Sequence, residues 1–230
     1  MTICAVIQPS YMPWRGYFDQ IMRSDIFVFY DDVQFDRHGW RNRNRVKTPT
    51  GSTWLTVPVR SKGHLDRTLL LNEIEIADET NWHRRHLTTL YQSYRKAPFF
   101  HQYIELVEKH LDAPPKRLCD LTIPLTIDLA RELGATCDFV TSSSLSVGGT
   151  GLAKLISTLQ SVRANHYLSG PSAASYIDPS EFASAGIRLE YVKYNYREYS
   201  QLHPPFDGNV SIVDLLFMLG ENAVSAFSES

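Results

Sequence analysis

The stretch CAVIQPSYMPWRGYFDQIMRSDIFVFY, residues 4–30, decides the fold of this chain. Two apolar runs, at residues 4–7 and 26–30, flank a segment in which Phe18 and Ile21 stand at helical spacing. A continuous apolar run of this length is typical of a strand that is buried on both faces. The order strand, helix, strand therefore predicts a βαβ unit whose two strands are parallel.

The rest of the chain continues this alternation around a helical middle. Apolar residues recur at helical spacing across residues 82–133, and short apolar runs separated by helical patterns return after residue 138. Ser211 and Asp214 open the last predicted helix as a loose capping box. We therefore predict a single α/β domain over residues 1–230, with a parallel or mostly parallel sheet, flanking helices and a helical insert at about 82–133.

Composition excludes several classes of protein. The 230 residues are 43% hydrophobic and 21% charged, which is ordinary for a globular chain. Three cysteines without a CxxC pair or a neighbouring histidine cluster predict no structural zinc and indicate a reducing compartment. No run approaches the ~20 apolar residues that span a membrane, and the N-terminus lacks the basic start of a signal peptide. These features predict a soluble, cytoplasmic protein, with no metal site and no assigned cofactor or oligomeric state.

The charge is unevenly distributed along the chain. Residues 1–67 carry ten Lys/Arg and six Asp/Glu, a net charge of +4, whereas the remainder carries a net charge of −6. A basic N-terminal third on an acidic body favours a local anionic ligand over general binding of polyanions.

Asp31 and Asp32 directly follow the second buried strand. Ligands of open α/β sheets bind at the carboxyl ends of the strands, where two carboxylates can hold a cation, orient a sugar hydroxyl or act as a general base. The alternative is that Asp31 forms a turn and Asp32 faces water. The position after a strand favours the functional interpretation.

A basic segment comes next, in which Arg41, Arg43 and Arg45 alternate with asparagines. In an extended strand the three guanidinium groups share one face and suit the oxygens of a phosphate or carboxylate. We rank a small phosphorylated ligand first, a solvated edge strand second, and nucleic acid third because no RRM, KH or helix-turn-helix pattern is present. His38 is the only histidine of this segment and is the candidate acid/base histidine.

The loop at residues 8–17 joins the first strand to the first helix and is rich in aromatic residues. Tyrosine and tryptophan stack on sugars and bases, and Gly16 lets a ligand approach the start of the helix. The competing interpretation is that Trp14 and Tyr17 cover the sheet edge. Ser169 and Gly170 follow a later strand, so we expect them at the same rim as the loop.

Three long motifs resemble the WbqC-like family: QPSYMPWRGYF (8–18), DIFVFYDDVQF (25–35) and WRNRNRVKTPTGSTWLTVPV (40–59). KAPFF (96–100), YLSGPSAASYID (167–178) and SIVDLLFMLG (211–220) agree, so the resemblance covers nearly the whole chain. The resemblance implies a protein that is encoded among bacterial genes for O-antigen, other surface polysaccharides or natural products, and that takes part in their biosynthesis. The positions that match the family are Gln8, Pro9, Tyr11, Gly16, Asp25, Asp31, Gln34, Trp40, Arg41, Asn42, Arg43, Trp54, Ser169, Gly170, Tyr176 and Asp214.

The first strand, loop and helix also resemble, more weakly, those of the Rossmann-like, nucleotidylyltransferase-like α/β group. That group carries an HxGH signature at its first helix, whereas residues 14–17 here read WRGY. Without the histidines that stabilise a departing phosphate, adenylyl transfer is not implied.

These observations lead to three functional hypotheses. The first is a transferase or ligase that moves an acyl or aminoacyl group to a nucleotide-linked amino sugar, since a deprotonated amine is a nucleophile. The second is a non-catalytic module that binds a sugar nucleotide or a biosynthetic enzyme, and the third is a module for the acceptor end of a tRNA. The candidate catalytic residues are Asp31, Asp32 and His38, and the candidate binding residues are Gln8, Tyr11, Trp14, Gly16, Gln34, Trp40, Arg41, Asn42, Arg43, Arg45, Ser169 and Gly170.

Overall fold

A five-stranded parallel sheet forms the centre of the fold. The computed structural model describes residues 1–37, 39–60, 69–77, 79–175 and 177–227. The strands are β1 (Ile3–Ile7), β2 (Ile26–Phe29), β3 (Arg43–Thr48), β4 (Gly51–Thr56), β5 (Val59–Arg60), β6 (Glu75–Ile76), β7 (Asp138–Thr141), β8 (His166–Ser169) and β9 (Arg188–Tyr191). The helices are α1 (Arg15–Met22), α2 (Trp82–Tyr94), α3 (Phe100–Leu111), α4 (Leu118–Glu132), α5 (Gly151–Ser161), α6 (Pro179–Ser184) and α7 (Ile212–Leu219).

The strand order of the main sheet is β7-β2-β1-β8-β9, and every neighbouring pair is parallel. The chain moves from β1 outward through β2 to β7 and then returns to β8 on the other side of β1. The direction of winding therefore reverses between β1 and β8. Sheets of this type bind their ligands in the crevice at that reversal, beyond the carboxyl ends of the strands.

The two strands predicted from residues 4–30 lie side by side in the middle of this sheet. Ala5 pairs with Phe27 and with Leu168, and all three side chains are buried. Helices cover both faces, which explains why these strands are apolar at nearly every position. The predicted α/β class with a parallel, Rossmann-like sheet is confirmed.

The helical middle packs its apolar stripes into the same core as one face of the sheet. Leu90 of α2, Ile104 of α3 and Leu125 of α4 are buried in one hydrophobic cluster with Phe27 of β2. The helix α4 ends at Glu132 with Leu133 as its C-cap, and the left-handed conformation of Gly134 (φ +85°) closes it. That these helices form an insert in a single domain stays a prediction.

The β3–β4 hairpin lies outside the main sheet and carries the basic segment. Its register places Arg45 opposite Trp54 and Arg43 opposite Thr56. The backbone carbonyl of Arg45 accepts a hydrogen bond from Ser211 N at 2.8 Å, which ties the hairpin to the start of α7. The hairpin is thereby held against the main body, beside the loop that follows β1.

Across the part of the chain that the structure describes, no helix has both the length and the apolar character needed to cross a bilayer.

Candidate functional site

A cleft of about 1050 Å³ opens at the carboxyl ends of β1 and β8, where the winding of the sheet reverses. Residues of both strand ends line it, together with the starts of α1 and α5 and the segment that leads into β3. The predicted residues in its lining are Gln8, Trp14, Trp40, Arg41, Arg45, Ser169 and Gly170. The structure thus brings the aromatic loop, the basic segment and the Ser-Gly turn to one place.

Arg41 is the central cation of the cleft. Its Nη1 donates to Ser10 Oγ at 2.8 Å and to the Gln8 carbonyl at 3.4 Å. Burial lowers the pKa of the guanidinium, and no carboxylate of the described residues lies within ion-pair distance of it. Asp36 acts on this cation electrostatically without forming an ion pair with it. A partly desolvated cation whose hydrogen-bond partners are neutral is a favourable site for an anion, because an anionic ligand compensates its charge.

The β8 end of the cleft is shaped by Gly170. A Cβ at this position would stand 3.2 Å from the Tyr194 hydroxyl, so glycine allows the phenol to approach the strand end. Gln20 of α1, which is 3% exposed, donates from Nε2 to the Tyr194 hydroxyl at 2.8 Å. Burial raises the pKa of Tyr194 to about 12, which keeps its hydroxyl protonated at neutral pH.

Trp14 covers the start of α1. Its indole folds over the backbone of Gly16, where any Cβ would overlap the ring, and its edge meets Tyr194 at a centroid distance of 4.8 Å. Gly16 is not among the lining residues. Its role is to let Trp14 lie against the helix, so that Trp14 forms the wall of the cleft.

The three arginines of the basic segment lie in three different environments. Arg41 lies inside the cleft, whereas the Arg43 guanidinium lies over the Trp54 ring at 4.6 Å. Arg45 lines the mouth and stands 3.6 Å from the carboxylate of Asp207.

The asparagines that alternate with these arginines hold backbone in place. Asn44 donates to the Met12 carbonyl at 2.7 Å and lines the cleft, which the sequence did not indicate. Asn42 donates to the Val57 carbonyl at 2.8 Å, outside the cleft lining.

Comparison with known proteins confirms the family resemblance of the sequence motifs. The model of the WbqC-like protein family matches residues 8–226. The chain belongs to the WbqC-like protein family. The uncharacterized protein Rv1507c of Mycobacterium tuberculosis is 36% identical over 221 residues, which is 95% of this chain and 94% of that protein. No solved structure matches the chain.

In this WbqC-like chain, Asp31 and Asp32 lie one strand away from the cleft, between the ends of β2 and β7. Asp31 is buried and accepts hydrogen bonds from Ser143 N at 2.9 Å and from the Ser143 and Ser142 hydroxyls at 2.7 and 3.0 Å. Asp32 pairs with Lys154 Nζ at 2.8 Å and also accepts from the Ser142 hydroxyl. Neither carboxylate is among the cleft-lining residues. Here we call Asp31, Asp32, Ser142, Ser143 and Lys154 the carboxylate cluster.

Two further predicted site residues, Tyr11 and Gln34, do not line the cleft. Tyr11 is fully buried, and its hydroxyl lies 2.9 Å from His86 Nδ1. Burial raises the pKa of Tyr11 and lowers that of His86 to about 4, so both groups are neutral at pH 7. Gln34 is exposed and forms a strand-like bridge to Leu70. His38 lies outside the described residues.

The sequence did not single out Gln20 or Tyr194. The position of Gln20, one helical turn after Gly16 on α1, was a usable signal for a residue facing the same side. Tyr194 follows β9 in a segment without regular structure, and no local pattern marks it. No carboxylate, histidine or cysteine lines the cleft among the described residues, and these contain no group of three such side chains placed to hold a metal ion.

Proposed function

We propose that this protein is a transferase that binds a nucleotide-linked amino sugar, or a similar phosphorylated metabolite, in the cleft and transfers an acyl or aminoacyl group to its amine. We place this reaction in the biosynthesis of a bacterial surface polysaccharide or a related natural product, as the WbqC-like resemblance implies. The observation that carries the proposal is the partly buried guanidinium of Arg41, which donates hydrogen bonds to neutral groups of the protein and lines the cleft at the reversal of the sheet.

The geometry around Arg41 supports a phosphorylated ligand. A guanidinium forms parallel hydrogen bonds to two oxygens of a phosphate, and its planar shape fixes the direction of the bound group. The cleft volume of about 1050 Å³ lies slightly above the ordinary ligand-pocket range of roughly 300–1,000 Å³. A volume of this size suits a nucleotide-linked sugar together with an acyl donor.

In the proposed reaction, the amine nitrogen forms a bond to the acyl carbonyl carbon, the leaving group departs with the bonding electrons, and the amine loses a proton. Asp31 and Asp32 are our candidates for the base that takes the proton, and they would act from the end of the neighbouring strand. Tyr30 lines the cleft and directly precedes them, so the amine must reach past this ring. Positioning of amine and acyl group in one cleft supplies the remaining part of the rate.

A non-catalytic binding module is the second candidate. The observation that favours it is the lining of the cleft, which in the described structure offers arginines, amides and hydroxyls but no carboxylate or histidine. A thermal-shift screen against nucleotide sugars, ATP and acyl donors finds the ligands, since a ligand of the folded state raises the melting temperature. Mass spectrometry of the best pair then separates the two candidates, because a transferase forms an acylated product and a binding module leaves both ligands unchanged.

The binding step is tested with Arg41→Ala and Arg41→Lys, using calorimetry with UDP-glucosamine as the probe. We expect Arg41→Ala to weaken binding at least tenfold and Arg41→Lys to recover part of the loss, since an ammonium acts as a point charge. Arg60→Ala is the matched control, because Arg60 is an exposed arginine paired with Glu79 outside the cleft. Equal affinity of the wild type and both Arg41 variants would exclude Arg41 as the phosphate site.

A further inference from the structure

Two exposed tryptophans lie next to each other, Trp54 on β4 and Trp40 in the segment that leads into β3. Trp40 is 43% exposed and Trp54 is 44% exposed, whereas Trp82 is 1% exposed. The two exposed indoles are in contact, with ring centroids 5.0 Å apart and planes inclined by 45°. Single exposed apolar side chains are common on protein surfaces, but two adjacent exposed indoles form a continuous aromatic surface that is suited to binding.

Two arginines border this aromatic surface. The register of the hairpin places Arg45 directly opposite Trp54, and its guanidinium lies 5.8 Å from the Trp54 ring and 5.9 Å from the Trp40 ring. The Arg43 guanidinium lies 4.6 Å from the Trp54 ring. Cation–π contacts of this kind hold the arginines beside the indoles. We call Trp40, Trp54, Arg43 and Arg45 the indole platform.

The indole platform is continuous with the cleft. Trp40 and Arg45 both line the cleft mouth, and Trp40 is the immediate neighbour of Arg41 along the chain. Trp40 and Arg41 line the same cleft, so a group bound on Trp40 and a phosphate bound at Arg41 can belong to one ligand. One ligand can therefore occupy both places at the same time.

We propose that the indole platform stacks the nucleobase of the ligand whose phosphate binds at Arg41. This inference rests on the proposed function, since it names the base-binding part of the same site. A nucleobase is a planar aromatic group next to negative charge, which complements exposed indoles bordered by guanidinium groups. Stacking of this kind tolerates different bases because every base has a π-face.

The charges favour a mononucleotide ligand over a strand of RNA. Binding a strand requires a row of cations along the backbone, whereas Arg45 already stands 3.6 Å from Asp207 and the whole chain carries a net charge of −2. The indole platform is also small, with two indoles at one cleft mouth, so it offers a place for one base.

The test compares UDP, ADP and inorganic pyrophosphate as probes in calorimetry. We expect both nucleotides to bind roughly tenfold or more tightly than pyrophosphate, because stacking on an aromatic side chain contributes about 1–3 kcal/mol per base. Trp54→Ala should lower the affinity for UDP and ADP toward that for pyrophosphate and leave pyrophosphate unchanged. Trp54→Phe retains an aromatic face and should keep most of the affinity. Tyr91→Ala is the matched control, since Tyr91 is an exposed aromatic residue on α2 outside the cleft.

Indole fluorescence gives a second readout, because stacking on a base changes the emission of the indole involved. We expect quenching by UDP that is reduced in Trp54→Ala and in Trp40→Leu, with unchanged melting temperatures as evidence of folding. A short single-stranded oligoribonucleotide completes the set of probes. Binding of the oligonucleotide far more tightly than UDP, with steep salt dependence, would overturn the assignment to a mononucleotide.

The outcomes separate this inference from the proposed function. If UDP and pyrophosphate bind equally, and Arg41→Ala weakens both, the assignment of the base to the indole platform is wrong and the assignment of the phosphate to Arg41 stands. If UDP binds in a way that depends on Trp54 and is indifferent to Arg41, the platform stands and the phosphate site is wrong. If neither probe binds, both are overturned.

Discussion

Two regions at the carboxyl edge of the main sheet differ in how their charged side chains are compensated. At the ends of β2 and β7, the Asp31 carboxylate accepts three hydrogen bonds and Asp32 pairs with Lys154. At the ends of β1 and β8, Arg41 has a hydroxyl and a carbonyl as partners and faces an open cleft. The first region satisfies its own polar groups, whereas the second leaves a cation that an outside group can complete.

This contrast separates residues that hold the fold from residues that hold a ligand. A charge fully matched by the protein contributes to stability and gains little from a ligand, while an unmatched buried charge lowers stability until a ligand arrives. Substitutions in the carboxylate cluster should therefore be costly for folding. Substitutions at Arg41 should be costly for binding.

The largest effect is expected from Asp32→Ala. Lys154 is 8% exposed, and removing its partner leaves a buried cation without a counter-charge, so the free energy of unfolding should fall by about 3–5 kcal/mol. Denaturant unfolding measures this change. Asp32→Leu combined with Lys154→Met should recover most of the loss, because no unpaired charge is then left. An Asp32→Ala protein as stable as the wild type would show that the pair is not an anchor between β2 and α5.

The next effect is a pH dependence of stability that comes from His86. This residue contacts the Tyr11 hydroxyl and so holds the loop at residues 8–17 in place. Burial lowers the pKa of His86 from 6.5 to about 4, so between these values the unfolded chain binds a proton that the folded chain does not. Stability is therefore complete above pH 6.5 and falls as the pH drops toward 4, by roughly 3 kcal/mol at the lower end.

The measurement for His86 is the difference between the wild type and His86→Leu in unfolding free energy at pH 7.0 and 4.5. Other groups titrate equally in both proteins, so the difference isolates His86. We expect the wild type to lose more stability than the variant over this interval. Parallel losses in the two proteins would contradict a neutral, buried His86.

The sequence predicted the fold well because the fold depends on local patterns. The buried runs at 4–7 and 26–30 require cover on both faces, and only a parallel sheet between helices supplies it. Ser211 was correctly placed as the cap of α7, where its Oγ accepts from Val213 N. Asp214 does not complete a capping box, since it accepts hydrogen bonds from Tyr94 at 2.7 Å and Tyr199 at 2.6 Å, and the first of these partners is 120 residues away.

The site was predicted in part for the same reason. Strand ends indicate the crevice, so the sequence alone placed Ser169 and Gly170 at the same rim as the loop that begins at Gln8, and all three line the cleft. Strand order was not encoded locally, and it is the order that sets β8 beside β1 and puts β2 with Asp31 one step further away. The partners of Asp31 lie 111 and 112 residues along the chain, beyond the reach of any local pattern.

Asp31→Asn should have an intermediate effect and tests whether the carboxylate cluster has a chemical role besides its structural one. An asparagine presents an NH₂ group where the carboxylate accepts from Ser143, so we expect a loss of about 1–3 kcal/mol of stability. For a chain of this length that corresponds to a fall in melting temperature of roughly 2–12 °C. Product formation must be measured in the same preparation below the melting range. Loss of turnover in folded protein supports a base at Asp31, and normal turnover restricts Asp31 to a structural role.

The smallest effect on stability is expected from Arg41→Met, and it decides the comparison. The substitution removes two hydrogen bonds to neutral partners, Ser10 Oγ and the Gln8 carbonyl, but it also removes the cost of a partly desolvated cation and keeps an unbranched side chain of similar length. These contributions oppose each other, so the unfolding free energy should change by less than about 1 kcal/mol, in either direction. Denaturant unfolding of the wild type and Arg41→Met without ligand measures the change. In 1 mM UDP the wild type should gain more stability than Arg41→Met, because the folded wild type binds the phosphate more tightly. A loss as large as that of Asp32→Ala would mean that Arg41 holds the loop after β1 in place. Arg41 and the carboxylate cluster would then both be structural.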